Sequence, residues 1–148
     1  MNGVLNVGSY YEIEPEVSGG LGPDTVYDRT VIPMTVTHVH YKVHDWLGDC
    51  IVTADPVFLI VPATAAKLQD AGFTGFRLAD AQVTPHEQFH ILNPGGQPPE
   101  LRWLLVDGEP GVDDLGIAAG MLVVSEAVLE VLRADGINQA TVTEWEPE

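Results

Sequence analysis

Two stretches of the chain, Phe58–Leu78 and Leu122–Val142, carry the same layout 64 positions apart. Each reads as an apolar strand, a helix bearing a leucine (Leu68, Leu132), a glycine (Gly72, Gly136), an apolar residue (Phe73, Ile137) and a new strand. A strand–helix–strand unit cannot stand alone, because the apolar stripe of its helix and one face of its strands must be covered by other elements. Two such units within 148 residues therefore dictate much of the core. The expected class is α+β: a mostly antiparallel sheet, more strand than helix, in one domain spanning residues 1–148, a size sufficient for a proper core. We read the echo as the commonest way of building such a domain rather than as a duplication.

The helices are expected at about residues 62–71 and 125–135. The first begins with Pro62, places Val61, Ala65 and Leu68 on one face and stops at Gly72. In the second, Ser125 is the expected N-cap and Glu126 meets the positive end of the helix dipole. Val128, Val131 and Leu132 line one face as far as Gly136. The remaining apolar segments read as strands. "VLNVGSYYEIEP" is β-prone, and "TVIPMTVTHVHYKVH" alternates with period two. Pro33, which lacks an N–H, marks a strand start or a sheet edge. "DCIVTADPVFLIV" reads as two short strands broken at Asp55-Pro56, while "GFRLADAQVT" and "LRWLLV" read as one strand each. "SGGLGPD", "NPGGQPPE" and "VDGEPGVDDLG" read as loops.

Charge narrows the partners. Twenty-two Asp and Glu against six Lys and Arg leave a net charge of −16. Such a surface repels phosphate backbones and speeds encounter with basic proteins, so no nucleic-acid partner is expected. The 45% apolar content argues against a disordered acidic tail. No apolar run reaches the roughly 20 residues of a membrane span. The N-terminus lacks the basic start and apolar block of a signal peptide. A cytoplasmic protein without a membrane partner is the expectation. Cys50 is the single cysteine, so neither an internal disulfide nor a cysteine-cage zinc site is expected.

Three of the five histidines lie in "THVHYKVHDW". In an extended strand, His38, His40, Lys42 and His44 share one face, with Val39, Tyr41 and Val43 on the other. Residues two apart on one face stand about 6.5–7 Å apart, close enough for two imidazoles to grip one metal. The pattern is similar to the strand His-x-His that opens the metal site of cupins, which makes a metal-binding protein or metal-dependent enzyme the alternative reading. The cupin glutamate is missing, and His86 or His90 has to serve as the distant ligand. Lys42 opposes a second cation on that face. We therefore expect the histidines to be the solvated side of a strand, with no metal and no cofactor.

Other candidates are weaker. Asp113-Asp114 has the chemistry of an acid–base pair or a hard-cation site, but adjacent aspartates in a Gly/Pro loop more often shape a turn. Cys50 lies among apolar neighbours and reads as a small core residue. There is no nucleophile elbow, no phosphate-cradling glycine loop and no H-E-x-x-H helix.

The segments "AAKLQDAGFTGFRLADAQV", "LRWLLVDGEPGVDDLG" and "MLVVSEAVLEVLRADGINQATV" resemble the small immunity proteins of bacterial polymorphic-toxin systems. The matching positions are Ala71–Phe76, Trp103, Asp113-Asp114 and Val124–Glu126, over roughly residues 58–145. Some similar proteins carry CxxC pairs for zinc, and this chain does not. The resemblance implies a non-enzymatic module that binds one cognate toxin and blocks its active site. A basic protein partner, a secreted toxin domain, suits the charge. The expected contacts are Glu109, Asp113 and Asp114, because loops on a rigid sheet carry function.

Overall fold

The computed structural model describes residues 9–32 and 34–147. Residues 1–8, which include the front of the expected first strand and of the segment read against a signal peptide, lie outside the described residues, as do Pro33 and Glu148. The fold is α+β and mostly antiparallel.

Four strands, β1 (Tyr10–Glu14), β11 (Leu115–Ala118), β12 (Met121–Ser125) and β13 (Thr141–Trp145), form one sheet in the order β11-β12-β1-β13. A second sheet, in the order β6-β7-β10-β8, joins β6 (Ile51–Ala54), β7 (Val57–Ile60), β8 (Phe76–Asp80) and β10 (Arg102–Val106). In each sheet a hairpin feeds a helix that returns as a strand parallel to the hairpin's second strand, with one antiparallel strand between them. The helices are α1 (Pro62–Asp70) and α3 (Glu126–Asp135).

The echo in the sequence extends further than the two stretches that announce it. Ile51 pairs with Ile60 and Ala54 with Val57; 64 positions on, Leu115 pairs with Val124 and Ala118 with Met121. Leu104 stands opposite Phe58 and Leu78, just as Ile13 stands opposite Leu122 and Val142. Two units with the same register face each other across one core. The expectation that the echo reflects only a common building style is too modest, because a shared style does not require a shared register.

That core holds Ile13, Phe58, Ile60, Leu104, Leu122 and Val124 from the two sheets and Ala65, Leu68, Val128, Leu129 and Leu132 from the helices. The two helices pack on each other, and Thr64 and Lys67 of α1 both donate to the Asp135 carboxylate of α3. Ser125 caps α3 as expected, its hydroxyl accepting from Val128 N at 3.4 Å. α1 has no side-chain cap and begins instead with Pro62, whose missing N–H falls where a helix leaves donors unpaired anyway.

A second core covers the other face of the β6–β8 sheet. Val52, Ala54, Val57 and Leu59 meet Val39, Tyr41 and Val43 together with Phe89 and Leu101. Strand β7 is thus buried on both faces, which explains its unbroken apolar sequence VFLI. The covering layer is a three-stranded sheet of β2 (Gly19–Leu21), β5 (His40–Val43) and β9 (Gln82–Pro85), in which β5 and β9 run parallel. A further pair joins β3 (Val26–Asp28) and β4 (Thr35–His38).

Three expectations need correction. "SGGLGPD" is not all loop, because Gly19–Leu21 pairs with β5, and a Cβ at Gly19 would run into the Lys42 carbonyl. "GFRLADAQVT" is two strands in different sheets, turning at Ala81. A short helix, α2 (Glu87–Leu92), follows β9. Its N-cap is His86, whose Nδ1 accepts from Gln88 N at 3.0 Å, a role more often filled by Ser, Thr, Asp or Asn.

Candidate functional site

The histidine segment does not form one strand. It breaks at Val39 into β4 and β5, which belong to different sheets. His38 is exposed and bonds Gln82 Oε1 through Nε2 at 2.9 Å. His40 is buried: its Nε2 lies 2.7 Å from Thr84 Oγ1, and Asp24 N donates to its Nδ1 at 3.2 Å. The expectation of a solvated histidine face fails at His40, because β9 and the 22–25 segment close over that side of β5. His44 lies beyond the strand and stacks on His86, with ring centroids 4.1 Å apart. Among the described residues, no group of three or more His, Cys, Asp or Glu is placed to hold a metal ion.

Cys50 is buried as expected, its thiol directed at the Leu132 carbonyl, and burial pushes its pKa up to about 11. A thiol so far from ionisation is a poor nucleophile.

The 107–114 loop lies on the β11–β13 sheet. Gly116 permits this, since a Cβ there would sit 2.5 Å from the Pro110 nitrogen. Asp113 accepts from Glu109 N at 2.8 Å. Asp114 accepts from Thr74 N at 3.0 Å and from the Ser125 hydroxyl at 3.0 Å. Both aspartates therefore spend their carboxylates on the loop and its neighbours. Of the three expected contact residues, Glu109 alone has a side chain that is exposed and makes no hydrogen bond among the described residues. Desolvation, with smaller contributions from Asp114 and Asp113, raises the phenol pKa of nearby Tyr10.

A larger concavity than those beside this loop lies elsewhere. A cleft of about 870 Å³ opens between the ends of the two four-stranded sheets. Its floor is apolar, with Ile13 and Leu122 from one sheet and Phe58 and Ala54 from the other. Phe58 and Leu122 are equivalent positions of the two units. Among the described residues four carboxylates line it, Glu14, Glu16, Asp45 and Asp55, and no Lys, Arg or His does. Exposed Val17 and Leu47 stand at its mouth.

Buried acids hold the wall in place. Glu16 is 5% exposed and accepts from Leu47 N at 2.8 Å and from Asp49 N at 3.4 Å. Its backbone bridges Val52, and its carbonyl accepts from Thr53 N. Burial raises the Glu16 pKa, and the two backbone donors oppose that rise. Asp49, also buried, accepts from Gln139 N at 2.9 Å and so ties this wall to the start of β13. The segment carrying Asp45 and Leu47 is thereby held against the cleft.

An apolar floor with uncompensated carboxylates at its rim suits a ligand that is apolar at its tip and positive at its flanks. The sequence signals for this site were faint: Glu14, Glu16, Asp45 and Asp55 are scattered over some forty positions in a chain rich in acids. Among the described residues no helix is long and apolar enough to cross a membrane. Comparison of the chain with family models, with curated proteins and with solved structures returned no match.

Proposed function

We propose that the protein is an acidic binding module of the immunity type, acting in the cytoplasm to neutralise a cognate basic toxin domain by protein–protein binding, with no catalysis of its own. The observation that carries this reading is the acid-rimmed, apolar-floored cleft, with no cationic side chain lining it among the described residues. The partner's contribution is a basic segment with an apolar tip: its side chains fill the floor, and its charges meet Glu14, Asp45 and Asp55. The exposed apolar residues Val17 and Leu47 supply the contact area that charge alone does not provide. The resemblance of residues 58–145 to immunity proteins points the same way, as does the net charge of −16. Glu109 remains a candidate second contact.

The test uses a basic toxin-like domain, taken from a neighbouring reading frame where one encodes it. Association with the whole protein is followed at low and physiological salt, for wild type and for the variant Glu14→Gln/Asp45→Asn/Asp55→Asn. Steering by exposed carboxylates predicts an association rate that falls with salt and drops about tenfold in the variant, with dissociation less affected. Failure to bind that domain, or tight binding to nucleic acid instead, removes the reading. Binding that the triple variant leaves unchanged removes the cleft from the interface.

A further inference from the structure

The outer face of the β1–β13 pair ends in two aromatic rings. Tyr10 and Trp145 are register partners, with centroids 6.3 Å apart and planes inclined at 72°. They line a cavity of about 320 Å³ together with Gly111, Glu144 and Glu146. Gly111 has φ +83°, and a Cβ there would come within 2.9 Å of the Trp145 ring, so the loop backbone rests against the indole and restricts its orientation. Among the described residues no Lys, Arg or His lines the cavity. Two rings set edge to face, held by backbone and bordered by glutamates, form a receptor for a cation rather than for an anion or a neutral chain.

We infer that the Tyr10–Trp145 cavity is a slot for one cationic side chain, arginine or lysine, presented by a partner protein. The ring faces attract the cation through their quadrupoles, and the nearby carboxylates add a field of the same sense. The slot rests on the binding-module reading for the identity of its partner. Its chemistry does not, and is tested without one.

The probe is N-acetyl-arginine methylamide, titrated into the whole protein while the indole N–H signals of Trp46, Trp103 and Trp145 are followed by NMR, each assigned by a single Trp→Phe substitution. The control is the citrulline analogue, which matches the shape and lacks the charge. The expected result is a saturable shift of the Trp145 signal alone, with affinity about tenfold weaker for citrulline. Tyr10→Phe keeps the ring and the response; Tyr10→Leu, verified as folded, weakens it. No saturable shift at Trp145, an equal shift from citrulline, or equal shifts at all three indoles overturns the slot. A cation-selective Trp145 response in a protein that binds no basic toxin domain retains the slot and sinks the toxin reading. A toxin domain that binds Trp145→Leu as tightly as wild type overturns the slot as a partner contact and leaves the acidic cleft standing.

Discussion

Residues 51–80 and 115–144 build the same unit twice, in the same register, yet their second sides are covered differently. In the first unit, the face of the sheet turned away from the helices is covered by β5, β9 and α2, and position 103, on the strand inserted between β7 and β8, is a tryptophan packed against that layer. In the second unit the corresponding face carries only the 107–114 loop, which lies over Gly116 and reaches Trp145; Val123 is buried there, and the equivalent position on β1 is the half-buried Glu12. Shared register follows from what the two units have in common, an apolar face turned to the helices. What differs is the other face, apolar under a full sheet in the first unit and, on β1 and β13 of the second, written mostly in glutamate and threonine beside a single loop. Both candidate binding features touch the second unit: the cleft at the end where the two hairpins meet, which the first unit also lines, and the aromatic pair at the opposite end of β1. The repeated architecture supplies the rigid frame, and the lighter covering of the second unit leaves the aromatic pair accessible beside its loop.

The strongest challenge to the equivalence is in the core. Leu68→Ala and Leu132→Ala remove matched helix leucines, both almost fully buried, and each should cost about 2–5 kcal/mol in urea unfolding. The two costs should be alike; a cost near zero for either one breaks the equivalence.

A smaller pair of effects concerns the ties between units. Asp49 accepts from Gln139 N and Asp114 from Thr74 N, so the aspartate ahead of each unit's first strand holds the segment after the other unit's helix, one position away from strict equivalence. Asp49→Ala and Asp114→Ala should each lose about 1–3 kcal/mol, because both leave a backbone donor without its acceptor. Equal unfolding midpoints for wild type and both variants would show that the ties are ornamental.

Helix capping separates the units by less. Ser125→Ala should cost about 1 kcal/mol, whereas Val61→Ala, at the N-cap of α1, removes no capping hydrogen bond. Loss of partner binding in Ser125→Ala without loss of stability would assign the hydroxyl a second role.

The smallest effect is a pH slope. Burial raises the Glu16 pKa above its ordinary value of 4.5, so the folded protein holds that proton more tightly than the unfolded chain does. The sign follows: the Glu16 contribution to stability declines as pH rises from the unfolded value through the folded one. Glu16→Gln does not titrate, so its stability relative to wild type should improve as pH rises from about 4.5 through the raised folded-state pKa. A difference between the two that is flat across this range would mean the carboxylate is not desolvated in the folded state.

Much of the frame was legible because it rests on short-range rules. Pro62 and Gly72 bound α1, Ser125 and Gly136 bound α3, and Asp55-Pro56 separates β6 from β7, all as residue chemistry dictates. The α2 helix escaped notice because histidine is an uncommon cap. The buried state of His40 escaped because alternation says which residues share a face and not which layer covers it. Asp113 and Asp114 were readable either as contacts or as turn formers, and only the structure shows their carboxylates bonded to Glu109 N, Thr74 N and the Ser125 hydroxyl.

By itself, then, the sequence determined the two longer helices with their apolar faces, the β6–β7 break and the sign of the surface charge, since each depends on residues within a few positions of one another or on a simple count. Only the tertiary structure decided which sheet is covered twice, where Glu14, Glu16, Asp45 and Asp55 meet, and that Tyr10 and Trp145 stand opposite each other. Those outcomes depend on long-range pairing, in which β1 enters between β12 and β13 after more than a hundred intervening residues. No local pattern records that placement, because the same strand would satisfy its own hydrogen bonds and apolar face at either edge of the sheet.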